Sequence, residues 1–161
     1  MFSGRFGETS GRPYIEAQVI LPRLKMSSGV SFIVDTGADQ TVLMPLDAVR
    51  LGINYRKLRR GQNLFGVGGS CKSYRESALI VFSENNRRLF LYEIEIGIIE
   101  KRKEFMRTRS LLGRDILDRL RMDYDAGKGV ITFKAVSPDA TIWLPTSSSS
   151  EKAPRPKVGT N

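Results

Sequence analysis

Residues 32–43 constrain the fold of this chain more than any other stretch. Phe32, Ile33 and Val34 make a short β-rich run, and Thr41 to Leu43 make a second. Asp35 to Gln40 therefore reads as a tight connection between two buried strands. A carboxylate is thereby held at the edge of an apolar core. The Thr36 hydroxyl suits such a turn, and Gly37 lets a backbone approach closely. On propensity alone an ordinary β-turn accounts for this triplet, because Asp and Gly are common turn residues.

The remainder of the chain reads mostly as strands. Tyr14 to Leu21 alternates, with Ile15, Ala17 and Val19 on one face, and Pro22 ends it. Gly29 to Val34 leads into the Asp35 turn. Pro45 suits the first position of a short helix through Leu51, and Gly52 its C-terminal cap. A basic cluster, Arg56, Lys57, Arg59 and Arg60, follows without interleaved aromatic residues and reads as a solvated face. Leu64 to Ser70 has no Gly-Lys-Ser or Gly-Lys-Thr of a phosphate loop and leads into strand, so a mobile hairpin tip fits it better. Glu84, Asn85 and Asn86 mark a turn. Tyr92, Ile94, Ile96 and Ile98 then share one face, with Glu93 and Glu95 opposite. Glu100 to Arg109 breaks that pattern as a charged, solvated loop. Leu111 and Leu112 read as a buried strand end, Arg114 to Leu120 as a helix with Ile116, Leu117 and Leu120 inward, and Met122 to Lys134 as a final hairpin. Thr141 to Leu144 suits one more strand, and Pro145 to Asn161 reads as a disordered tail.

Composition removes several chemistries. The 161 residues suit one domain and contain no histidine, which excludes Ser-His and Cys-His catalysis and the common histidine metal sites. A single cysteine, Cys71, excludes an intrachain disulfide and favours a cytoplasmic address. Met1 to Arg12 lacks the apolar segment of a signal peptide, and Leu89 to Ile99 is interrupted by Glu93 and Glu95, so no membrane span is expected. The net charge of +9 permits contact with nucleic acid but does not establish it.

Two pieces follow the Asp35 turn in order: Gly66, Val67, Gly68, Gly69, and then Leu111, Leu112, Gly113, Arg114, Asp115. Taken together with Asp35, Thr36, Gly37, Ala38 and Asp39, they resemble the retropepsin-like aspartic proteases, over about residues 12 to 135. That resemblance implies a mostly β, closed-barrel fold equivalent to one pepsin lobe, with a glycine-rich flap hairpin and one short C-terminal helix. It also implies an aspartic endopeptidase that needs no cofactor and no metal. Only one such triplet is present, so the second catalytic carboxylate must come from another copy, making a homodimer that acts on polypeptide substrates. Asp35, Thr36 and Gly37 are the implied catalytic set. Gly37, Asp39, Gly66, Val67 and Gly68 are implied to meet the substrate, with Gly113 and Arg114 in support and Arg114 paired to Asp39. The expected organisation is a flexible segment 1–11, a protease domain 12–135 and an extension 136–161, mostly disordered from 145. Two other readings stand beside it: a non-catalytic dimeric module that binds extended peptides, and a basic nucleic-acid-binding protein. An actin-like or sugar-kinase ATPase fails on chain length and on the lack of a second Asp-Gly phosphate hairpin.

Overall fold

The computed structural model describes residues 1–66 and 69–145. Its elements run β1 (Phe2–Ser3), β2 (Arg5–Phe6), β3 (Pro13–Leu21), β4 (Met26–Val34), β5 (Val42–Leu43), α1 (Pro45–Arg50), β6 (Arg60–Gly66), β7 (Gly69–Glu84), β8 (Arg88–Ile99), β9 (Leu111–Leu112), α2 (Arg114–Leu117), β10 (Leu120–Asp125), β11 (Val130–Ala135) and β12 (Ala140–Trp143). Short 3-10 turns cover Pro22–Leu24, Tyr55–Lys57 and Lys103–Phe105. None of the described helices is long and apolar enough to cross a membrane.

The strands make two sheets. A nine-stranded sheet has the order β12-β8-β5-β9-β4-β3-β7-β6, with β2 paired to β3 and β7 also paired to β8. A three-stranded sheet has the order β1-β11-β10. The alternation read in the sequence is what builds the core. Ile15, Ala17, Val19 and Leu21 of β3 are buried, as are Tyr92, Ile96 and Ile98 of β8, while Glu93 and Glu95 face solvent. Phe32, Phe82, Tyr92, Phe133 and Leu112 are fully buried among them. Each of the Phe and Leu side chains among these contributes about 1.5–3 kcal/mol by leaving water. Asn85 and Asn86 both take positive φ, 51° and 52°, and so form the tight turn between β7 and β8 that their sequence suggests.

Three expectations need correction. Residues 1–11 are not a loose segment at their start: β1 pairs with β11 and β2 with β3. The reason is aromatic. Phe2 is buried and stacks on Phe82 and Phe133, with ring centroids 4.9 and 5.7 Å away, and Phe6 meets Tyr124 edge-on. Gly4 allows a close approach, since a Cβ there would sit 2.3 Å from the Tyr14 carbonyl oxygen.

The second correction concerns α2, which stops at Leu117 rather than Leu120. Leu120 pairs with Ala135 at the start of β10, so its side chain reaches the core from a strand. The inward spacing of Ile116, Leu117 and Leu120 was met without a continuous helix. Third, the strand that the sequence suggests from Ser73 to Phe82 is longer at both ends, since β7 extends from Gly69 to Glu84. The C-terminal strand falls near its expected place, antiparallel to β8 from Ala140 to Trp143. The expected disordered tail lies outside the described residues from 146 onward.

Candidate active site

Asp35 is delivered by the end of β4, and the strand beside it fixes its position. β9 runs parallel to β4, pairing Ile33 with Leu111 and Val34 with Leu112. Its other edge pairs antiparallel with β5 through Val42. Thus β9 lies between the two strands that flank the turn. The Ile33 amide donates to the Ser110 carbonyl at 2.8 Å, and the Asp35 amide to the Leu112 carbonyl at 3.1 Å.

Within the turn, the Gly37 amide donates to Asp35 Oδ1 at 2.9 Å, and the Ala38 amide to the Asp35 carbonyl at 3.2 Å. The Arg114 amide reaches the Ala38 carbonyl at 2.8 Å, and the Asp115 amide the Asp39 carbonyl at 3.3 Å. Asp35 is half-buried, whereas Thr36 and Gly37 are exposed. The Thr36 hydroxyl has no hydrogen-bond partner among the described residues.

The structure brings Asp35, Thr36, Gly37, Asp39, Gly113 and Arg114 together around this crossing. Arg114 hydrogen-bonds Asp39, the pair anticipated from the sequence. The hydrogen bond and then the charge of Asp39 raise the Arg114 pKa above its usual value. A Cβ at Gly113 would lie 2.3 Å from the Gln40 carbonyl carbon and 2.8 Å from the Thr41 amide nitrogen. No residue with a side chain fits there without separating the two backbones.

Two supports went unnoticed in the sequence. The Thr41 amide and hydroxyl both donate to the Asp115 carboxylate, at 2.9 and 2.6 Å, and Thr41 Oγ1 accepts from the Gly113 amide at 3.1 Å. Deeper in, buried Ser110 donates to Asp47 Oδ2 at 2.7 Å and accepts from the Met44 amide at 3.0 Å. The first residue of β9 is thereby preceded by a hydroxyl tied to α1. Both acidic partners sit on ordinary helix positions, and only their distant acceptor roles distinguish them.

Strand alternation also sorts the two faces. Val34 and Leu112 point into the main core, so Ile33, Asp35 and Leu111 share the opposite side. That side carries a second, smaller cluster: buried Val42, Met44 and Ile99, with Cys71, Phe105 and Leu111 packed against it. Cys71 comes from the β6–β7 hairpin, which pairs Leu64 with Cys71 and Gly66 with Gly69. Burial, then the nearby Glu100 charge, pushes the Cys71 thiol pKa up despite the opposing charge of Arg102. Arg75 of β7 donates to Gln40 Oε1 at 3.3 Å, linking the hairpin's longer strand to the turn. Gly66 ends β6 on that hairpin, while Val67 and Gly68 lie outside the described residues.

At the hairpin's base, buried Glu76 accepts from Arg23 Nε at 2.8 Å and from the Arg59 amide at 3.3 Å. Burial raises its pKa, but the Arg23 hydrogen bond, the Arg59 amide and the two cationic charges outweigh it, and the net shift is downward. Tyr55 braces the same region, donating to the Ile99 carbonyl at 3.0 Å with its ring edge-on to Tyr74. Its own hydroxyl pKa is pushed up to about 12 by burial and by Tyr74. Among the described residues no group of three or more acidic or thiol side chains is arranged to hold a metal ion.

In chemical terms the turn presents one carboxylate on an open face. Its neighbours Asp39 and Asp115 are already committed, to Arg114 and Thr41.

A family model for the retroviral aspartyl protease matches residues 10–124. Among solved structures, the chain is similar to a retropepsin-like aspartic protease from Rickettsia conorii, at 22% identity and a TM-score of 0.56, over 81% of this chain and 86% of that one. It is also similar to the EIAV protease complexed with the inhibitor HBY-793, at 21% identity and a TM-score of 0.48, over 70% and 90% of the two chains. A third similarity is to the retroviral protease-like domain of Ddi1 from Leishmania major, at 18% identity and a TM-score of 0.45, over 84% and 98%. No curated protein sequence gives a significant match. The Rickettsia likeness shows that the mostly β fold is the retropepsin-like one.

Proposed function

The chain belongs to the retroviral aspartyl protease family, and from that premise we propose that it is an aspartic endopeptidase, active as a homodimer on extended polypeptides. The observation that carries this reading is the Asp35 turn: a single half-buried carboxylate, held by the Gly37 amide, on the face away from the core. Alone, such a group is a turn residue. Facing its twin from a second copy, it becomes an acid–base pair.

At a separation of about 3 Å and an effective dielectric near 20, two such charges repel by about 5 kcal/mol. That is roughly 4 pKa units, so one proton stays on the pair. The ionised member takes a proton from a bound water while the protonated one hydrogen-bonds the peptide carbonyl and polarises it. Water adds to the carbonyl carbon, and the tetrahedral intermediate collapses as the amine leaves with a proton. No covalent adduct with the protein forms, and the dyad titrates as a unit.

The neighbouring residues take roles consistent with their places. Thr36, exposed at the turn, bonds across the dimer axis. Gly37 and Asp39 meet the substrate backbone, and Arg114 holds Asp39. The β6–β7 hairpin, with Gly66, Val67 and Gly68 at its end, acts as the flap, adding strand-like pairing to the substrate and excluding bulk water. A cytoplasmic address is part of the same reading, as is the protease domain at about 12–135, now with β1 and β2 included in its packing.

Digestion of an unstructured peptide library by wild type and Asp35→Asn tests the proposal. Wild type releases defined fragments between pH 4 and 7, at a rate that falls faster than linearly on dilution, and the variant is slower by about 10³-fold or more. Equal cleavage by the two proteins overturns the assignment. So does peptide binding without any cleavage by wild type, the outcome expected of a non-catalytic module.

A further inference from the structure

The loop 100–109, between β8 and β9, is the charged stretch that the fold alone does not explain. It carries five cations, Lys101, Arg102, Lys103, Arg107 and Arg109, against the carboxylates Glu100 and Glu104. It is also the segment that joins the hairpin to the Asp35 crossing. At its start, Glu100 Oε1 accepts from the Lys72 amide at 2.8 Å, and the Glu100 amide donates to the Lys72 carbonyl at 3.0 Å. In its middle, Phe105 packs on the small cluster of Val42, Met44 and Ile99. At its end, the Ser110 carbonyl takes the Ile33 amide, two residues before Asp35.

Alternation through this end decides where the last cation lies. Ser110 and Leu112 are fully buried, and Leu111 is on the Asp35 side. β9 covers only Leu111 and Leu112, but the Ser110 carbonyl still pairs with the Ile33 amide; continued by one residue, the same alternation sets Arg109, which is exposed, on the Leu111 side. Among the described residues Arg109 has no ion pair or hydrogen-bonded carboxylate. Two carboxylates, one in the loop and one in the turn, are already paired: Glu100 with Arg102 at 2.6 Å, and Asp39 with Arg114. Glu104 is exposed and carries the one unpaired carboxylate of the loop.

We propose that Arg109 is a specificity residue of the cleft, selecting polypeptide segments that carry an Asp or Glu side chain close to the bond cleaved. This rests on the peptidase reading above. The substrate class is an extended acidic segment, laid between the hairpin and the turn, with its carboxylate paired to the guanidinium. Lys101, Lys103 and Arg107 add a diffuse positive field that draws such segments in.

The test compares three otherwise identical peptides, with Glu, Gln or Lys beside a bond that the full-length protein cleaves in a library digest. Wild type is expected to favour Glu over Gln in kcat/KM by about five-fold, the upper range for an exposed pair, and the preference shrinks in high salt. In Arg109→Gln the Glu-to-Gln ratio falls to about one, and in Arg109→Glu the Lys peptide becomes the best of the three. Cleavage with no charge preference by wild type, or a preference that Arg109→Gln and Arg109→Glu both retain, overturns the role of Arg109 while leaving the peptidase reading intact. Absence of any library cleavage by wild type overturns both.

Discussion

The Asp35 turn and the β6–β7 hairpin face the same side of the molecule, yet they are held in opposite ways. Around the turn, the backbone groups of Ile33, Asp35, Gly37, Ala38 and Thr41 are all engaged, by β9 and the residue before it, by the first residues of α2, or by the Asp35 and Asp115 carboxylates. The hairpin has regular pairing from Asn63 to Gly66, but a register shift separates this from the pair at Arg60. Its attachments to the rest of the molecule run from Glu76 and Tyr74 at the base up to Lys72, which shares two hydrogen bonds with Glu100, and Cys71 on the small cluster. The contrast suits a division of labour. Groups that must meet a reacting bond within tenths of an ångström are over-determined, whereas a segment proposed to open and close over substrate is tied, among the described residues, by fewer contacts that reach as far as Lys72 and Cys71.

The sharpest way to break the rigid half is Gly113→Ala. The added methyl meets backbone atoms of Gln40 and Thr41 at 2.3–2.8 Å, and backbone cannot swing aside as a side chain can. Either β9 withdraws from β4 or the turn shifts, at a cost of about 3 kcal/mol or more. Urea denaturation followed by fluorescence of Trp143 measures it. Wild-type stability in this variant means that the crossing is looser than the structure has it.

Next in size is Asp115→Ala. Thr41 is fully buried, and this variant strips the acceptor from its amide and its hydroxyl together. The unmet amide costs about 2 kcal/mol. Asp115→Asn keeps one acceptor oxygen and should recover more than half of that. The Thr41 amide should also exchange with solvent faster in Asp115→Ala than the amides of β10 do. Equal losses for the Ala and Asn variants would show that the carboxylate acts through its charge and not as an acceptor.

The same two regions explain what could be read from the sequence. Local patterns were legible: the apolar runs around Asp35, the alternation from Tyr92 to Ile98, the Asn85–Asn86 turn, the hairpin from Met122 to Lys134. So was the Arg114–Asp39 pair, because family resemblance supplied both ends of it. Long-range polar ties were not. Asp115 lies 74 residues from Thr41, Asp47 63 from Ser110, and Glu76 53 from Arg23. Nothing local distinguishes such a carboxylate from a solvated one until the fold brings its partner in. Phe2 was hidden for the opposite reason, as one aromatic anchor in a glycine-rich run whose composition reads as loose.

Glu76 gives the smallest effect and tests the compliant half. Glu76→Gln keeps the side-chain shape and one acceptor oxygen but loses the charge facing Arg23, which is itself partly exposed. The expected loss is about 1 kcal/mol. Its pH dependence separates it from a packing defect. The folded pKa of Glu76 lies below its ordinary 4.5, so the unfolded chain takes up the proton first as pH falls. The stability it contributes is full above about pH 5 and fades as pH drops through the lower folded value. Wild type and Glu76→Gln should therefore differ most near neutrality and converge on acidification. A gap that stays constant from pH 7 down to pH 3 would mean that Glu76 holds the hairpin base by shape alone, and that the hairpin's attachment, unlike the turn's, needs no charge.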